Sequence, residues 1–428
     1  MTSPSVHVEA CHDLPLVTIM VGFRAGATLD PPGKEGITRL GTRMLRRGAA
    51  GMNVVEVANA IDSIGAEFGE FVGLNAIHVH MDTIRRSLDR SVELICSLLG
   101  QATYDPEELA RLIRETEHEV LETRNHDRAL CGRAFRRTLF EGHPFERRIS
   151  GLPKSLARID RADVVEHAKR SMNRNNVVFA FAGDITEQEA LQIAARIVAV
   201  LPEGDAPARP GHDPSAREGR TLVFVDKPER SQTQMLIGCR GTHPRDPDHT
   251  AFTVANTVFG GTFTSRLMTE VRVKRGWSYG AYSSAPIDLS REAFSVWTQP
   301  DAKDVGPCLE LELELLETWC DKGITSRELA FAKRNLSRSH AFEVDTASKR
   351  AQRRLLTWLY DLPEDYYDGY LDRLRSVTVR EVNESIRRRI ALDALVVAVT
   401  GTYDRIGAEV AAAVPSLRGV ERVPYDLE

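Results

Sequence analysis

The stretch that decides the fold covers residues 159–185 and reads IDRADVVEHAKRSMNRNNVVFAFAGDI. A second stretch, residues 377–403, reads VTVREVNESIRRRIALDALVVAVTGTY and aligns with it without gaps at an offset of 218 residues. In both, a helical pattern of apolar residues leads into an apolar strand that stops at a glycine. Repetition of a whole helix-to-strand unit indicates an internal duplication.

A second pair of matching segments supports this duplication. Gly22-Phe23-Arg24, followed by Asp30-Pro31, corresponds to residues 238–240 and 246–247 at an offset of 216 residues. Two nearly equal offsets predict homologous domains of roughly 215 residues, within the usual domain size. The segment between them, LPEGDAPARPGHDP from residue 201, is rich in proline and glycine and has no apolar period. We therefore predict domains at 1–203 and 221–428, joined by a linker at 204–220.

Within each half, strand patterns precede long amphipathic helices. Strands are predicted at 16–23, 222–225 and 233–239, a hairpin at 66–81, and helices at 54–64, 86–99, 106–124 and 307–322. This order predicts an α+β fold of two homologous domains, each an antiparallel or mixed sheet with helices packed on one face.

Composition narrows the class of protein. With 428 residues and 42% hydrophobic content the chain is long enough for two cores, and its net charge of −5 argues against a nucleic-acid partner. The six cysteines show no C-x-x-C spacing and are scattered singly along the chain. This distribution is typical of free thiols in a reducing compartment. The N-terminal residues do not form a signal-peptide pattern, and no apolar run reaches the ~18 residues of a membrane span. We expect a cytoplasmic protein that does not bind membranes.

Residues 36–48, GITRLGTRMLRRG, have the shape of a zinc-peptidase helix of the form H-x-x-E-H with its chemical groups replaced. Arg39, Thr42 and Arg43 stand where His, Glu and His would be. Zinc needs imidazole or carboxylate lone pairs, and the attacking water needs a carboxylate base. Guanidinium groups offer only hydrogen-bond donors and a permanent positive charge. The chain is therefore expected to hold no metal of its own.

The second half carries the most specific motif, FGGTFTSRLMTEVRVKRGWSY at residues 259–279. With FRAGA at 23–27 and H-P-F at 143–145, it makes the chain resemble the pitrilysin and mitochondrial-processing-peptidase family of inverse zincins over nearly its whole length. That resemblance implies half of a clam-shell of four homologous domains. It also implies that Arg272 holds substrate backbone and that Tyr279 donates a hydrogen bond to the developing oxyanion.

The resemblance places three further residues. The family's third zinc ligand corresponds to Glu119, 76 residues after Arg43, and we expect it to pair with Arg39 and Arg43 where a metal would sit. The turn at Gly260 and Gly261 would lie near the substrate chamber, where the absence of Cβ lets an extended peptide approach. The same turn lacks the G-x-x-x-x-G-K-[ST] frame, which argues against nucleotide binding.

The leading hypothesis is a zinc-less, catalytically silent subunit of a heterodimeric metallopeptidase. A homologous partner with an intact H-x-x-E-H motif would carry the zinc, and this chain, inactive alone, would supply Arg272 and Tyr279 and half of the peptide chamber. The alternative is a non-enzymatic structural or peptide-binding homologue of the family.

A rival metal site involves histidines. His78 and His80 share one side of a strand by period two, and His118 lies beside Glu119 and Glu122. Spacing fixes no third ligand for this pair, so a self-sufficient peptidase built on it stays a third possibility. His143, in the H-P-F turn, is expected to order a loop.

Overall fold

The computed structural model describes residues 4–209, 213–215 and 217–427, and thirteen strands lie within them. In chain order the strands are β1 (Ser5–Ala10), β2 (Leu16–Phe23), β3 (Gly48–Ala49), β4 (Met52–Asn53), β5 (Glu67–Val72), β6 (Ile77–Ile84), β7 (Val177–Gly183), β8 (Arg220–Asp226), β9 (Gln234–Arg240), β10 (Ala281–Ser284), β11 (Ala293–Thr298), β12 (Val396–Gly401) and β13 (Leu417–Pro424).

The same described residues contain fifteen α-helices. They are α1 (Ile37–Met44), α2 (Val54–Ser63), α3 (Leu88–Gly100), α4 (Pro106–Glu122), α5 (Asp127–Leu139), α6 (Pro153–Leu156), α7 (Arg161–Ser171), α8 (Glu187–Val200), α9 (His249–Phe259), α10 (Val305–Lys322), α11 (Ser326–Glu343), α12 (Ala347–Leu359), α13 (Tyr370–Ser376), α14 (Val379–Arg389) and α15 (Tyr403–Ala412). Among these described helices, none combines the length and apolar character that crossing a bilayer requires.

Two large mixed sheets share one topology. The first has strand order β1-β7-β2-β6-β5, and the second has order β8-β12-β9-β11-β10 with β13 added beside β8. In both, the first pair is parallel and the next three pairs are antiparallel. The α+β fold class is therefore confirmed.

The repeated helix-to-strand stretch has the same local structure in both copies. Helix α7 begins after Asp160 and α14 begins after Thr378, which are equivalent at the offset of 218. The side chain of each cap residue accepts a hydrogen bond from the third backbone N–H of its helix. The backbone N–H of the cap residue donates to the carboxylate three residues later, which completes a capping box. The strands that follow both end at the repeated glycine, Gly183 or Gly401.

The chain forms two compact units that differ from its two sequence halves. The first unit comprises Met1–Val120, Arg147–Pro210 and His340–Glu364. The second unit comprises Leu121–Glu146, Gly211–Ser339 and Asp365–Glu428. Each unit thus includes one segment from the other half of the sequence.

In the first unit, helices α3 and α8 cover one face of the sheet. Buried side chains such as Phe179 and Phe181 of β7 point into that core. The opposite face is also apolar, and Ala180 and Ala182 of β7 pack there against Leu355 of α12. Because these strand residues are small, the helix can lie close to the sheet.

The second unit repeats this arrangement. Phe252 of α9, Trp319 of α10 and Ile386 of α14 share one buried core with the sheet. Helix α5 covers the other face and contacts β8, β9 and β12. On that face the Cys131 thiol lies 3.3 Å from the carbonyl oxygen of Ala398.

The helix on the second face of each sheet comes from the other half of the sequence. Helix α5 precedes the predicted linker yet belongs to the second unit, and α12 follows the linker yet belongs to the first. The sequence predicted helices on one face of each sheet only. A helix also covers the second face, because strands such as β7 are apolar on both sides. The predicted domain boundaries at 203 and 221 thus separate the two sequence repeats. The compact units differ from these domains because each includes one segment from the other repeat. Within 204–220 the described residues before Arg220 form no helix or strand, and residues 210–212 and 216 lie outside the described part.

The equivalent glycines Gly22 and Gly238 differ in how much space an added Cβ atom would have. A Cβ on Gly22 would meet only side-chain methyl groups of Leu355 and Leu359, at 3.1 Å, whereas one on Gly238 would lie 2.0 Å from the backbone oxygen of Phe294. We predict that Gly22→Ala lowers the free energy of unfolding by about 1 kcal/mol or less and Gly238→Ala by about 3 kcal/mol. Thermal denaturation of both variants measures this, and equal effects would contradict the packing account.

Candidate functional site

Helix α1 presents a buried face and a charged face. Ile37, Leu40 and Met44 pack in a cluster with residues of α4 and α7. The helical period places Arg39 and Arg43 on the other side, where they remain partly exposed. Thr42 is buried, and its hydroxyl donates to the carbonyl of Thr38 at 2.9 Å. Of the three positions that match the H-x-x-E-H pattern, two therefore lie on the charged face and one is buried.

The N-terminus of α1 is held by a buried carboxylate. Asp30 accepts hydrogen bonds from the backbone N–H groups of Gly36 and Thr38, at 2.7 and 3.2 Å, and from the Thr38 hydroxyl. Burial raises the pKa of Asp30 to about 6 despite these bonds. His167 lies 2.7 Å from the same hydroxyl, and burial lowers its pKa to about 4. This network positions the helix that carries the two arginines.

Glu119 of α4 lies between the two arginines of α1. Arg39 donates to Glu119 at 2.8 Å, and a nitrogen of Arg43 lies 3.1 Å from the other carboxylate oxygen. Burial alone would raise the pKa of Glu119, but the hydrogen bond from Arg39 and the charges of both arginines lower it overall. The structure thus brings these three predicted residues together in one ion-pair cluster.

These residues do not fit a zinc ion. Both guanidinium groups are donors only, and the single carboxylate is already shared between them. The buried hydroxyl of Thr42 is committed to the backbone. Among the residues that the structure describes, no group of three or more His, Cys, Asp or Glu side chains is arranged to hold a metal.

A further arginine lies near this cluster. Burial, and then the positive charge of Arg39, lower the pKa of Arg148, whose Nε donates to Ser150 at 2.8 Å. The segment at Ser150 packs on Gly36, where an added Cβ would lie 2.9 Å from the Ser150 carbonyl oxygen. The Nη1 atom of Arg39 is buried without a hydrogen-bond partner among the described residues. The sequence alone did not indicate the contribution of Arg148.

The histidines singled out in the sequence have structural surroundings. His78 and His80 do lie on the same face of β6. The His78 ring stacks on Phe71 at 4.7 Å, and burial, with a smaller effect of His80, lowers the pKa of His78 to about 4. His143 is buried and accepts a hydrogen bond from the backbone N–H of Phe145 at 3.1 Å, so it orders the H-P-F turn.

Arg272 and Tyr279 lie side by side in the second unit. Arg272 belongs to a π-helix at Met268–Val273, and its guanidinium carbon lies 4.9 Å from the centre of the Tyr279 ring. On the same guanidinium, the Phe263 ring lies at 4.5 Å. Tyr279 is 79% exposed and Phe263 is 60% exposed. Cation–π attraction therefore orients Arg272 and leaves its N–H donors available.

Arg272 differs from the other cations of its motif. Arg266 pairs with Glu328 at 2.7 Å, and Lys274 and Arg275 both pair with Glu270. Within the described residues Arg272 has no carboxylate partner. Phe263 was not recognised in the sequence; the signal that marked it is a large apolar side chain two residues after Gly261.

The glycine turn packs against the protein's own chain. A Cβ on Gly260 would lie 2.4 Å from the backbone nitrogen of Ser283, and one on Gly261 would lie 2.9 Å from the Cα of Thr257. The Ser283 N–H also donates to the Gly260 carbonyl at 3.1 Å. Close approach of β10 therefore explains why Gly260 lacks a side chain. A contact of this turn with substrate stays a prediction.

Comparison with known proteins identifies the family. Residues 158–336 match the family described as Peptidase M16 inactive domain. Over these residues the chain is similar to the M16 inactive domain, and it lacks the H-x-x-E-H zinc motif. A crystal structure of a peptidase M16 inactive domain from Pseudomonas fluorescens is similar with a TM-score of 0.88 and 25% identity, covering 93% of this chain and 95% of that one.

Two relatives extend the similarity beyond the matched domain. The non-peptidase homolog YmxG of Helicobacter pylori is 20% identical over 392 residues, which are 91% of this chain and 90% of the relative. An uncharacterized zinc protease of Mycobacterium tuberculosis is 25% identical over 393 residues, 91% of this chain and 87% of the relative. The resemblance to the pitrilysin and mitochondrial-processing-peptidase family is confirmed.

The ion pairs of Glu119 predict a specific pH dependence. Because its pKa is lowered in the folded protein, Glu119 stabilises the fold above its unfolded pKa of about 4.3, and this contribution is lost as pH falls through the folded pKa. Glu119 is 43% exposed on its side chain, so solvent screening limits the effect. We expect Glu119→Gln to lower the free energy of unfolding by at most about 1 kcal/mol at neutral pH and by less near pH 3.

The measurement is thermal denaturation of the wild type and the variant at both pH values. Glu117→Gln is the matched control, because Glu117 lies on the same helix and forms no ion pair within the described residues. A difference of the same size at both pH values would contradict the proposed ion pairs.

Proposed function

We propose that this chain is the catalytically silent subunit of a heterodimeric zinc metallopeptidase. Its partner would be a homologue with an intact H-x-x-E-H motif, and the substrate would be a peptide. The observation that carries the proposal is Arg272, which is held between two exposed aromatic rings and has no carboxylate partner among the described residues.

The arrangement suits contact with a peptide. A guanidinium without an ion pair keeps its donors for backbone carbonyl oxygens, and the two rings restrict its motion before substrate arrives. Tyr279 is an aromatic residue at 79% exposure, which leaves its hydroxyl in reach of a bound molecule. A structural salt bridge at Arg272 would have used these donors within the protein.

The two units then have different roles. In the first unit Arg39 and Arg43 share the single carboxylate of Glu119, and this cluster cannot replace the metal. The partner's motif would supply the metal-activated water. In the second unit Arg272 would hold the substrate backbone, and Tyr279 would donate a hydrogen bond to the carbonyl oxygen as negative charge develops on it.

We further propose that the protein works in the cytoplasm. All six cysteines are free thiols, and four of them, Cys131, Cys239, Cys308 and Cys320, are buried. Burial is the largest cause that raises the pKa of Cys131 to about 12, so this thiol stays protonated and unreactive. Such cysteine usage is common where thiols are kept reduced.

The proposal predicts the effect of removing one hydroxyl. In a co-expressed pair with an H-x-x-E-H homologue, Tyr279→Phe should lower kcat about 100-fold, because the oxyanion loses one oriented donor. Cleavage of an internally quenched, unstructured peptide measures the rate. Each chain is also assayed alone, and gel filtration shows whether the pair remains assembled.

Tyr282→Phe is the matched control for this experiment. Tyr282 lies three residues away on β10, and its ring stacks on Trp297, which the substitution preserves. Its kcat should equal that of the wild type. Cleavage by this chain alone would overturn the proposal, and unchanged turnover by the Tyr279 variant would remove that residue's role. Binding of peptide without any cleavage by the pair would favour the alternative of a peptide-binding homologue.

A further inference from the structure

A cavity of about 450 Å³ lies beside the glycine turn in the second unit. One wall belongs to the segment from Val258 to the π-helix, and the other belongs to α11. Most of its lining residues carry hydroxyl or guanidinium groups: Thr262, Thr264, Ser265, Thr269, Arg327 and Arg334. Phe263, which stacks on Arg272, lies between two of these threonines in the sequence. The cavity therefore adjoins the Arg272 site.

Two arginines of α11 give the cavity its charge. Arg327 and Arg334 are seven residues apart, with Phe331 between them, so all three lie on one face of the helix. Both arginines are exposed, and neither has an ion-pair partner among the described residues. Their donors are therefore available to a ligand.

The acidic residues of the cavity are already paired. Glu328 accepts two hydrogen bonds from Arg266, at 2.7 and 2.9 Å, and Glu270 pairs with Lys274 and Arg275. Burial alone would raise the pKa of Glu328, but the bonds from Arg266 and Thr325 lower it overall. Positive charge thus remains at Arg327 and Arg334 after these pairs are formed.

The same cavity has an apolar side. Val258 is one of its lining residues, and Phe331, 39% exposed, lies between the two arginines on α11. The exposed Phe263, next in sequence to the lining residues Thr262 and Thr264, contacts Arg272. A ligand that fits would therefore place an anion next to an apolar group.

We propose that this cavity binds a carboxylate of the peptide, held by Arg327 and Arg334 with help from the hydroxyl groups, and an adjacent apolar side chain against Phe331. Carboxylates accept hydrogen bonds only, which matches a site built from donors, and the planar guanidinium binds both carboxylate oxygens. The carboxylate comes from an acidic side chain or from the C-terminus of the peptide. The site would select peptides for the Arg272 region and rests on the peptide-binding part of the proposed function, not on the partner.

The test measures peptide binding by the isolated full chain, so that it is independent of turnover by the pair. Fluorescence anisotropy compares labelled peptides at low salt, where charge contacts are least screened. The first is C-amidated Gly-Ser-Leu-Glu-Leu-Ser-Gly with an uncharged fluorophore on its N-terminal nitrogen, the second has Gln in place of Glu, and the third is the labelled Gln peptide with a free C-terminus. We expect about tenfold tighter binding of a carboxylate peptide than of the neutral one.

The three peptides also separate the two sources of the carboxylate. Preference for the first identifies an acidic side chain, and preference for the third identifies the C-terminus. In the double variant Arg327→Ala with Arg334→Ala, this preference should fall to less than about twofold, and in the double variant with Glu at both positions the neutral peptide should bind better. Arg338→Ala is the control, since Arg338 is an exposed arginine of the same helix outside the cavity lining.

Equal binding of all three peptides, or no binding of any, overturns the proposal. So does a carboxylate preference that survives in the double alanine variant. Far-UV circular dichroism and thermal denaturation verify that the variants fold. In one outcome the cavity variants lose the carboxylate preference while the co-expressed pair still cleaves a neutral peptide. That result would show that the proposed peptidase function does not depend on the carboxylate site.

Discussion

Each large sheet of this protein is apolar on both faces, and much of the architecture follows from covering the second face. Large side chains such as Phe179 and Phe181 fill one core, while the small Ala180 and Ala182 on the other side leave room for a helix. The helix that fills this space comes from the other half of the sequence in both units. Burial of apolar surface on both sides of a sheet therefore determines which segments belong to which unit.

The two motifs that carry the family resemblance, at residues 36–48 and 259–279, differ in how their arginines are paired. In the first unit both arginines have a carboxylate partner, because Glu119 pairs with Arg39 and Arg43. In the second unit Arg272 remains open to solvent contacts, because aromatic rings rather than carboxylates hold it. A paired charge stabilises a fold modestly, whereas an oriented and unpaired charge is useful for recognition. This contrast supports a division of roles between the two units.

Local patterns predicted much of this structure. The strand at Leu16–Phe23 and the hairpin formed by β5 and β6 follow directly from periodicity. The pairing of Glu119 with Arg39 and Arg43 was expected from the spacing that the family resemblance implies, together with charge sign. The exchange of α5 and α12 was not predictable in this way, because periodicity shows that a face is apolar but not which segment covers it. Likewise, the packing of Gly260 against β10 depends on tertiary contacts between residues more than twenty positions apart.

The exchanged helices also bear on how such a chain could arise. A protein with a single copy of the repeat would leave one apolar sheet face uncovered, since the helix that covers it comes from the other copy. Two such molecules could cover each other's sheets by trading helices, as domain-swapped dimers do. Joining them end to end through a flexible segment would turn that symmetric dimer into one chain. The present molecule has the internal organisation of such a fused pair.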